Sequence, residues 1–206
     1  MKTNGERQIV EAARKDPKAF GVLFDKYHGK ILKYAVLRSG NAETGRDIAS
    51  ETFFKAQKNL WKFRWMGMPF SAWLYRIAGN LVNDYFRLKK HEPMSLEAGI
   101  EEKRISIPAA KDDIEAELAE VQEKLDNDRQ YGEIIAGIMK LPVNYQEVLV
   151  LKYMEGHKTE TICGILGKKS GTVKSLISRG LTMLREQMQP NESQSVKVMK
   201  VKKEDE

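Results

Sequence analysis

Residues 159–181 read TETICGILGKKSGTVKSLISRGL, which divides into a short stretch of helical periodicity, a turn and a longer helical stretch. Gly167 follows the last apolar residue of the first stretch, a position where glycine commonly ends helices. Ser170 opens the second stretch and is expected to be its N-cap. The apolar residues that would pack inward against Ile162 and Leu166 share one face of the second stretch: Val173, Ile177, Leu181 and Leu184. The sequence therefore predicts a helix-turn-helix.

The opposite face of the second stretch is small and polar and carries one arginine. Hydroxyl groups bond base edges or phosphates, and an arginine reaches a phosphate or a guanine, so this face suits the major groove of DNA. A polar-faced helical hairpin with no DNA role has the same spacing, which leaves both interpretations open. The candidate DNA contacts in the turn and on this face are Lys168, Lys169, Ser170, Thr172, Ser175, Leu176 and Arg179.

The composition of the 206-residue chain, 41% hydrophobic and 31% charged, is typical of a soluble globular protein. Long stretches have helical rather than alternating periodicity, which predicts an all-α fold. The sequence lacks an apolar run long enough to cross a bilayer, and its N-terminus lacks the apolar core of a signal peptide. Its single cysteine, Cys163, excludes an internal disulfide and a multi-cysteine zinc site. These features predict a cytoplasmic protein.

Charge divides the chain into blocks. Residues 1–90 contain 18 Lys and Arg against 8 Asp and Glu, residues 91–130 contain 5 against 12, and residues 131–190 contain 8 against 5. Two basic blocks around an acidic stretch are typical of two polyanion-binding modules on a tether, although solvated faces of a basic protein give the same counts. We expect two small helical domains at 1–90 and 131–188, an acidic flexible linker at 91–130 and a polar, disordered tail at 189–206.

Aromatic residues of the first block are concentrated between residues 61 and 86. On the helix expected at 70–89, one stripe is predicted to belong to the core: Trp73, Ile77, Leu81 and Tyr85. Another face of that helix carries Arg76, Asn80, Asn83 and Arg87. Arginines bind phosphates, amides bond base edges, and neighbouring rings stack unpaired bases at about 1–3 kcal/mol each. This combination indicates binding of single-stranded or opening DNA, with Trp65 in the preceding loop either capturing a base or packing in the core.

The helix expected at 42–62 has a different surface. Its inward residues are predicted to be Ile48, Thr52, Ala56 and Leu60. Asp47 and Glu51 lie on the far side of this helix, with Phe54 beside them. An outward phenylalanine next to two carboxylates is typical of a protein docking surface, and a solvated charged face is the alternative.

The two blocks together resemble regions 2 and 4 of the extracytoplasmic-function (ECF) sigma factors. The resemblance to region 2 rests on DIASETFFKA at 47–56, FSAWLYRIAGNL at 70–81 and DYFR at 84–87. The resemblance to region 4 rests on LPVNYQEVLVLKYMEG at 141–156 and on the helix-turn-helix that follows. The order of the motifs and the acidic linker also match, so the resemblance covers roughly residues 6–188. Gly164 departs from the pattern, because a better helix former is usual at that position.

The resemblance implies a bacterial RNA polymerase specificity subunit that selects promoters and assists their opening, without catalysis, cofactor or metal. The implied partners are the clamp coiled coil and flap of the RNA polymerase core, promoter DNA and an anti-sigma factor, with no membrane insertion and no small-molecule substrate. The residues implied for polymerase binding are Asp47, Glu51 and Phe54. Those implied for the −10 element are Trp65, Arg76, Asn80, Asn83 and Arg87, and the helix-turn-helix residues named above would read the −35 element.

Two other classes of function are weighed against this one. A stand-alone helix-turn-helix repressor or activator would use the second block alone and would not need the surface around Phe54. An enzyme would need an assembled site, but the candidate groups lie on different segments without a paired carboxylate motif or metal-ligand spacing: His28, His91, His157 and Cys163.

Overall fold

The computed structural model describes residues 3–65, 67–91 and 129–188, and its regular elements are helical. In the first block, α1 spans Thr3–Lys15, α2 Phe20–Ser39, α3 Ala42–Lys58 and α4 Phe70–His91, with 3₁₀ turns at Pro17–Ala19 and Leu60–Lys62. In the second block, α5 spans Arg129–Met139, α6 Val143–Leu149, α7 Thr159–Leu166 and α8 Ser170–Met188, and a π-turn at Val150–Met154 continues α6. The all-α prediction is confirmed. The predicted flexible linker and disordered tail lie outside the described residues.

Adjacent stop and start signals reverse the chain between α2 and α3. Gly40 adopts the left-handed conformation (φ 68°) and donates its N–H to the Val36 carbonyl at 2.9 Å, which ends α2. Asn41 then caps α3, because its side chain accepts a hydrogen bond from the Thr44 N–H at 2.9 Å. The reversal lets α3 pack back along α2.

The buried face of α4 differs from the predicted stripe. The enclosed side chains are Phe70, Ala72, Leu74, Tyr75, Ala78 and Val82. The predicted core residues are only half-buried: Trp73, Ile77, Leu81 and Tyr85. Trp73, Ile77 and Leu81 still pack against the core, so the predicted stripe lies at the edge of the buried face, whose centre is offset by about one position, or roughly 100° around the helix. The reason is that α4 packs both against α2 and α3 and against α7, so residues outside the predicted stripe are enclosed.

The helix-turn-helix is confirmed, with one correction at the start of its second helix. Ile162 and Val173 are fully buried between α7 and α8. Gly167 has φ 63° and ends α7. The first helical hydrogen bond of α8 runs from the Val173 N–H to the Lys169 carbonyl at 3.1 Å. Lys169 therefore occupies the N-cap position, and the prediction of Ser170 as the cap is wrong.

The two blocks pack against each other. Helix α7 lies against α4, and the π-turn after α6 contacts α2. Buried apolar residues of both blocks belong to one continuous cluster. Across the interface, Tyr75 donates a hydrogen bond to Glu155 at 2.5 Å, and the His157 ring lies edge-on to Tyr75 at 4.6 Å between centroids. This packing brings one side of α4 against the second block.

Glu6 connects α1 to two other helices of the first block. Its carboxylate accepts hydrogen bonds from Lys26 at 2.7 Å and from the Tyr27 hydroxyl on α2, and from the backbone N–H of Phe70 at the start of α4. Burial alone would raise the pKa of Glu6, but these hydrogen bonds and the Lys26 charge hold it below its ordinary value of 4.5. Burial and the Glu6 carboxylate raise the pKa of Tyr27 to about 12. The ionised form of Glu6 is thus the one that stabilises the fold.

The Glu6→Gln substitution is expected to lower the free energy of unfolding by about 2 kcal/mol at pH 7, since it removes hydrogen bonds to a charged acceptor. Because the pKa of Glu6 is lowered in the folded state, its contribution is complete above pH 4.5 and disappears as the pH falls through the lowered value. Urea unfolding at several pH values should therefore show that the free energies of unfolding of wild type and Glu6→Gln become equal in acid. Glu11→Gln, which changes a 46% exposed carboxylate on the same helix, is the control. An equal and pH-independent effect of both substitutions would contradict the prediction.

Candidate nucleic-acid and protein interfaces

The predicted protein docking surface lies on the outside of α3. The predicted inward residues are all buried: Ile48, Thr52, Ala56 and Leu60. Phe54 is 59% exposed, and Lys58 lies over its ring with Nζ 5.9 Å from the centroid. Asp47 is exposed, and Glu51 pairs with Lys55 at 3.3 Å. We call Asp47, Glu51 and Phe54 the docking face. It presents an apolar ring and two carboxylates together to solvent.

The loop between α3 and α4 is anchored by its rings. Phe63 is 4% exposed and lies edge-on to Phe70 at 5.2 Å and to Trp65 at 4.9 Å between centroids. Trp65 is half-buried, and its indole N–H is enclosed without a hydrogen-bond partner. Trp61, which was not among the predicted contacts, is 63% exposed with Lys62 5.0 Å from its ring centroid. The rings of Trp61, Phe63 and Trp65 are therefore buried to different extents, and Trp61 is the most exposed of the three.

A cleft of about 320 Å³ opens between α3 and α4 beside this loop. Its lining is Lys55, Asn59, Lys62, Trp73, Ile77, Asn80, Leu81 and Asp84. The half-buried Trp73, predicted as core, thus lines a solvent-accessible cleft together with the exposed Asn80. An aromatic ring, an amide and two lysines can together stack and hydrogen-bond an unpaired base and attract its phosphate.

The predicted −10 residues of α4 do not share one environment. Arg76 donates hydrogen bonds to the carbonyls of Ile165 at 3.1 Å and Gly164 at 2.6 Å in the second block. Asn80 lines the cleft described above. Arg87 is exposed and pairs with Asp84 at 3.0 Å on its own helix. In this packing, Arg76 hydrogen-bonds the second block, although it is exposed like Asn80 and Arg87.

Asn83 is half-buried, whereas the other predicted −10 residues on α4 are exposed. Its side-chain oxygen accepts a hydrogen bond from Arg38 at 3.4 Å, and its side chain also hydrogen-bonds Glu147. Arg38 is fully buried, and its Nε and Nη1 have no hydrogen-bond partner. Burial raises the pKa of Glu147, although the Arg38 charge, the Asn83 hydrogen bond and the Lys168 charge oppose that rise. The interface between the blocks thus encloses polar groups that are only partly satisfied.

The predicted −35 surface is accessible. The exposed members of the set are Lys168, Lys169, Ser170, Thr172, Ser175 and Arg179. Leu176 is half-buried and packs against the core, so less of it faces outward than the helical wheel predicted. Lys174, which was not among the predicted contacts, is also exposed on α8. The N-terminal half of α8 and the preceding turn therefore present cations and hydroxyl groups to solvent.

An apolar groove of about 580 Å³ lies between α5, the π-turn and the C-terminal half of α8. Its lining is Ile134, Ile138, Leu149, Tyr153, Met154, Leu181, Leu184, Arg185 and Met188. Tyr153 is 51% exposed and Met188 43% exposed, so large apolar groups are open to solvent at its edge. This groove was not predicted from the sequence, because its residues come from elements that are distant along the chain.

The described ranges, 3–65, 67–91 and 129–188, contain no group of His, Cys, Asp or Glu side chains that could hold a metal ion. Within the same ranges, none of the helices has both the length and the apolar character that crossing a bilayer requires. Of the residues considered for an enzyme site, Cys163 is half-buried on α7, and His28 stacks on Phe24 at 4.5 Å in the first block.

Both blocks match models of known protein families. Residues 23–92 match the family model described as Sigma-70 region 2, and residues 131–184 match Sigma-70, region 4. The chain is 36% identical over 185 residues to the ECF RNA polymerase sigma factor SigW of Bacillus subtilis (strain 168), covering 89% of this chain and 96% of that protein.

Two solved structures are similar in fold. One is CnrH in complex with the cytosolic domain of CnrY, with 24% identity and a TM-score of 0.60 over 90% of this chain and 97% of that chain. The other is the sigma factor RpoE in complex with the anti-sigma factor NepR from Bartonella quintana. It has 22% identity and a TM-score of 0.61, and the match covers 82% of this chain and 96% of that chain. At these identities the likeness concerns the arrangement of helices.

Proposed function

The chain belongs to the ECF group of the sigma-70 family. From this premise we propose which of its surfaces bind the RNA polymerase core, the −10 element and the −35 element. It is a sigma factor that acts in transcription initiation and is not an enzyme. The proposed boundaries are region 2 at 1–90, the linker at 91–130, region 4 at 131–188 and a tail at 189–206. A stand-alone helix-turn-helix regulator would not account for the match of residues 23–92 to sigma-70 region 2.

The docking face binds the clamp coiled coil of the RNA polymerase core. The observation that carries this proposal is the exposure of Phe54, 59%, next to the two carboxylates on α3. A solvent-exposed aromatic ring is the type of residue that supplies most binding energy when a partner encloses it. The flanking carboxylates favour a partner with basic side chains.

Region 2 binds the −10 element as an opened strand. The cleft beside Trp73 and Asn80 provides a stacking ring, an amide and the nearby Lys55 and Lys62. Binding of unpaired bases at such sites offsets the few kcal/mol needed to unstack each one, so opening requires no ATP. Arg76, Asn83 and Arg87 are proposed to contact the same strand, with Trp65 at the adjoining loop.

Region 4 binds the −35 element through the N-terminal half of α8. Exposed Lys168, Lys169 and Arg179 can bind phosphates, and Thr172 and Ser175 can reach base edges in the major groove. The apolar groove of region 4 suits the polymerase flap, because its exposed Tyr153 and Met188 can be enclosed by an apolar helix. An anti-sigma factor is a further proposed partner, since the structurally similar RpoE was solved bound to one.

Run-off transcription with sigma-free core polymerase and a pool of promoter fragments from the source organism tests the proposal. The wild-type protein should yield discrete transcripts. A variant with Asp47→Ala, Glu51→Ala and Phe54→Ala should lose at least about 90% of them and bind core at least tenfold more weakly, because a central aromatic anchor commonly contributes about 2 kcal/mol or more.

The matched control is Asp25→Ala with Glu186→Ala, which removes two exposed carboxylates elsewhere on the surface. It should transcribe like wild type, and circular dichroism should show that all three proteins are folded. Equal transcription by the docking-face variant and the control would contradict the assignment of this face. Failure of wild type to associate with core would contradict the proposed function as a whole.

A further inference from the structure

Helix α1 lies against the connection between α3 and α4. It packs on α2 and on the 3₁₀ turn at Leu60–Lys62, which begins that connection. The inward face of α1 includes Val10 and Ala13, which are 0% and 7% exposed. The match to sigma-70 region 2 begins at residue 23, so α1 lies outside it. The contacts of α1 nevertheless reach the part of region 2 that carries the loop tryptophans.

Arg14 of α1 holds the start of the connection. Its Nε donates a hydrogen bond to the Leu60 carbonyl at 3.4 Å, and its Nη2 donates one to the Phe63 carbonyl. Its Nη1 pairs with Glu11 on the same helix at 2.8 Å, which orients the guanidinium group. The planar guanidinium presents several donors in a fixed geometry and can therefore bond two carbonyls at once. Because the side chain is only 23% exposed, Arg14 serves the backbone of the connection rather than the solvent.

Glu6 of α1 holds the end of the connection. Its carboxylate is buried and accepts a hydrogen bond from the backbone N–H of Phe70, the first residue of α4. The first N–H groups of a helix lack intrahelical partners and form the positive end of the helix dipole, so a carboxylate suits this position. Lys26 and Tyr27 of α2 donate to the same carboxylate. The start of α4 is therefore tied to α1 and α2 at a single buried group.

One rigid helix sets the separation of these two contacts. Glu6 and Arg14 are eight residues apart, which corresponds to about 12 Å along an α-helix and about 80° around it. The fully buried Val10 lies between them in sequence and anchors the helix. Lys62 and Trp65 belong to the stretch of chain between the two contacts, and both are among the groups proposed to bind the opened −10 strand.

We propose that Glu6 and Arg14 are positioning residues for the −10 site, because α1 holds both ends of the α3–α4 connection and so presents Lys62 and Trp65 in the arrangement that receives an unpaired base. The inference rests on the proposed binding of the −10 strand by region 2. In this role neither Glu6 nor Arg14 contacts DNA. Ordering a loop during binding costs affinity, and a loop that is ordered beforehand avoids that cost. Loosening one end lowers the fraction of molecules that are competent to bind, and the apparent affinity falls by the same factor.

The test uses Arg14→Ala in the full chain. The matched control is Arg7→Ala, which removes the same type of side chain and the same charge from an exposed position of α1. Arg14→Lys keeps the charge but lacks the planar fork, so it separates the effect of charge from that of the paired hydrogen bonds. Tyr27→Phe is the control for stability, because it removes one hydrogen bond to Glu6 and leaves both contacts between α1 and the connection in place.

The first measurement is amide hydrogen exchange of the free protein, which reports local opening. Arg14→Ala should speed exchange at residues 61–69 by about tenfold and leave the middle of α3 and α4 unchanged. Glu6→Gln weakens the contact at the other end and should also speed exchange at 61–69. Arg7→Ala and Tyr27→Phe should exchange like wild type in this stretch.

The second measurement is the affinity of holoenzyme for two single-stranded oligonucleotides of equal length. One carries the −10 element of a promoter that wild type uses in the run-off assay, and the other carries the same bases in scrambled order. Arg14→Ala should bind the −10 strand about tenfold more weakly and the scrambled strand as wild type does, because charge alone holds the scrambled strand. Arg14→Lys should recover only part of the loss. Arg7→Ala and Tyr27→Phe should bind both strands like wild type, and all variants should bind core equally well.

Three results overturn the inference. The first is unchanged exchange at 61–69 in Arg14→Ala. The second is faster exchange there with unchanged affinity for the −10 strand. The third is an equal loss of affinity for both strands, which would assign the effect to charge. In each case discrete transcripts from wild type would still support the proposed function. Absence of those transcripts would instead contradict the proposed function, and the exchange data, which are measured without DNA, would still show whether α1 holds the connection.

Discussion

Replacing Phe70 by alanine is expected to lower the free energy of unfolding by about 3–5 kcal/mol, a large share of the roughly 5–15 kcal/mol that stabilises a typical domain. Phe70 is fully buried at the start of α4. Its ring lies 5.2 Å from Phe63, 5.6 Å from Trp73 and 6.0 Å from Tyr27, measured between centroids. The substitution would therefore leave a cavity among three rings and release the loop that carries Trp65.

Denaturant unfolding followed by circular dichroism measures this effect. Phe54→Ala is the matched control, because it makes the same chemical change at a 59% exposed position and should alter stability by less than about 0.5 kcal/mol. Phe70→Leu should lie between the two, since it keeps much of the buried volume. Equal destabilisation by Phe70→Ala and Phe54→Ala would contradict the assignment of Phe70 to the core.

The ends of α2 and α7 and the start of α3 were predictable because each depends on a few neighbouring residues, whereas the cap of α8 was misplaced by one residue. Gly40 and Asn41 stop one helix and start the next, and Gly167 ends α7, as its position after the apolar run indicated. The core of the helix-turn-helix was predictable for a related reason. Helices α7 and α8 are adjacent in sequence and pack on each other, so the spacing of Ile162 and Val173 is sufficient to place them inside.

The buried face of α4 was not predictable from its own sequence. A helical wheel assigns one core face, whereas α4 packs against its own block and against α7. Ala72, Ala78 and Gly79 have little or no side chain to produce a hydrophobic signal, yet they allow close packing. The larger Trp73 and Ile77 dominated the apolar periodicity of α4, but in the structure they line the cleft between α3 and α4.

The partners of Arg76 and Asn83 were also beyond sequence reasoning. Both were predicted as DNA contacts from their chemistry, and that chemistry equally suits carbonyl and carboxylate groups of the same chain. Arg76 hydrogen-bonds the Gly164 carbonyl, 88 positions away in sequence, and the half-buried Asn83 accepts a hydrogen bond from Arg38. Contacts between residues so distant along the chain leave no local periodicity.

Removing three cations from region 4 is expected to weaken promoter binding by the holoenzyme about 100-fold at low salt and to flatten its salt dependence. The variant is Lys168→Ala, Lys169→Ala and Arg179→Ala, all exposed at the helix-turn-helix. Removing one cation that neutralises a phosphate should reduce the slope of log affinity against log salt by about 0.9, so removing three would reduce it by as much as roughly 2.7.

The control for this prediction is Lys15→Ala, Lys18→Ala and Lys140→Ala, which removes the same charge from exposed positions away from α8. Binding of holoenzyme to one promoter fragment, measured between about 50 and 200 mM salt, distinguishes direct phosphate binding from long-range attraction by net charge. Long-range attraction by net charge would flatten the slope equally in both variants, and that result would contradict direct binding of phosphates by the three region 4 cations. A slope that falls only in the region 4 variant places these cations against the DNA backbone, because ion release depends on the number of phosphates that the protein neutralises directly.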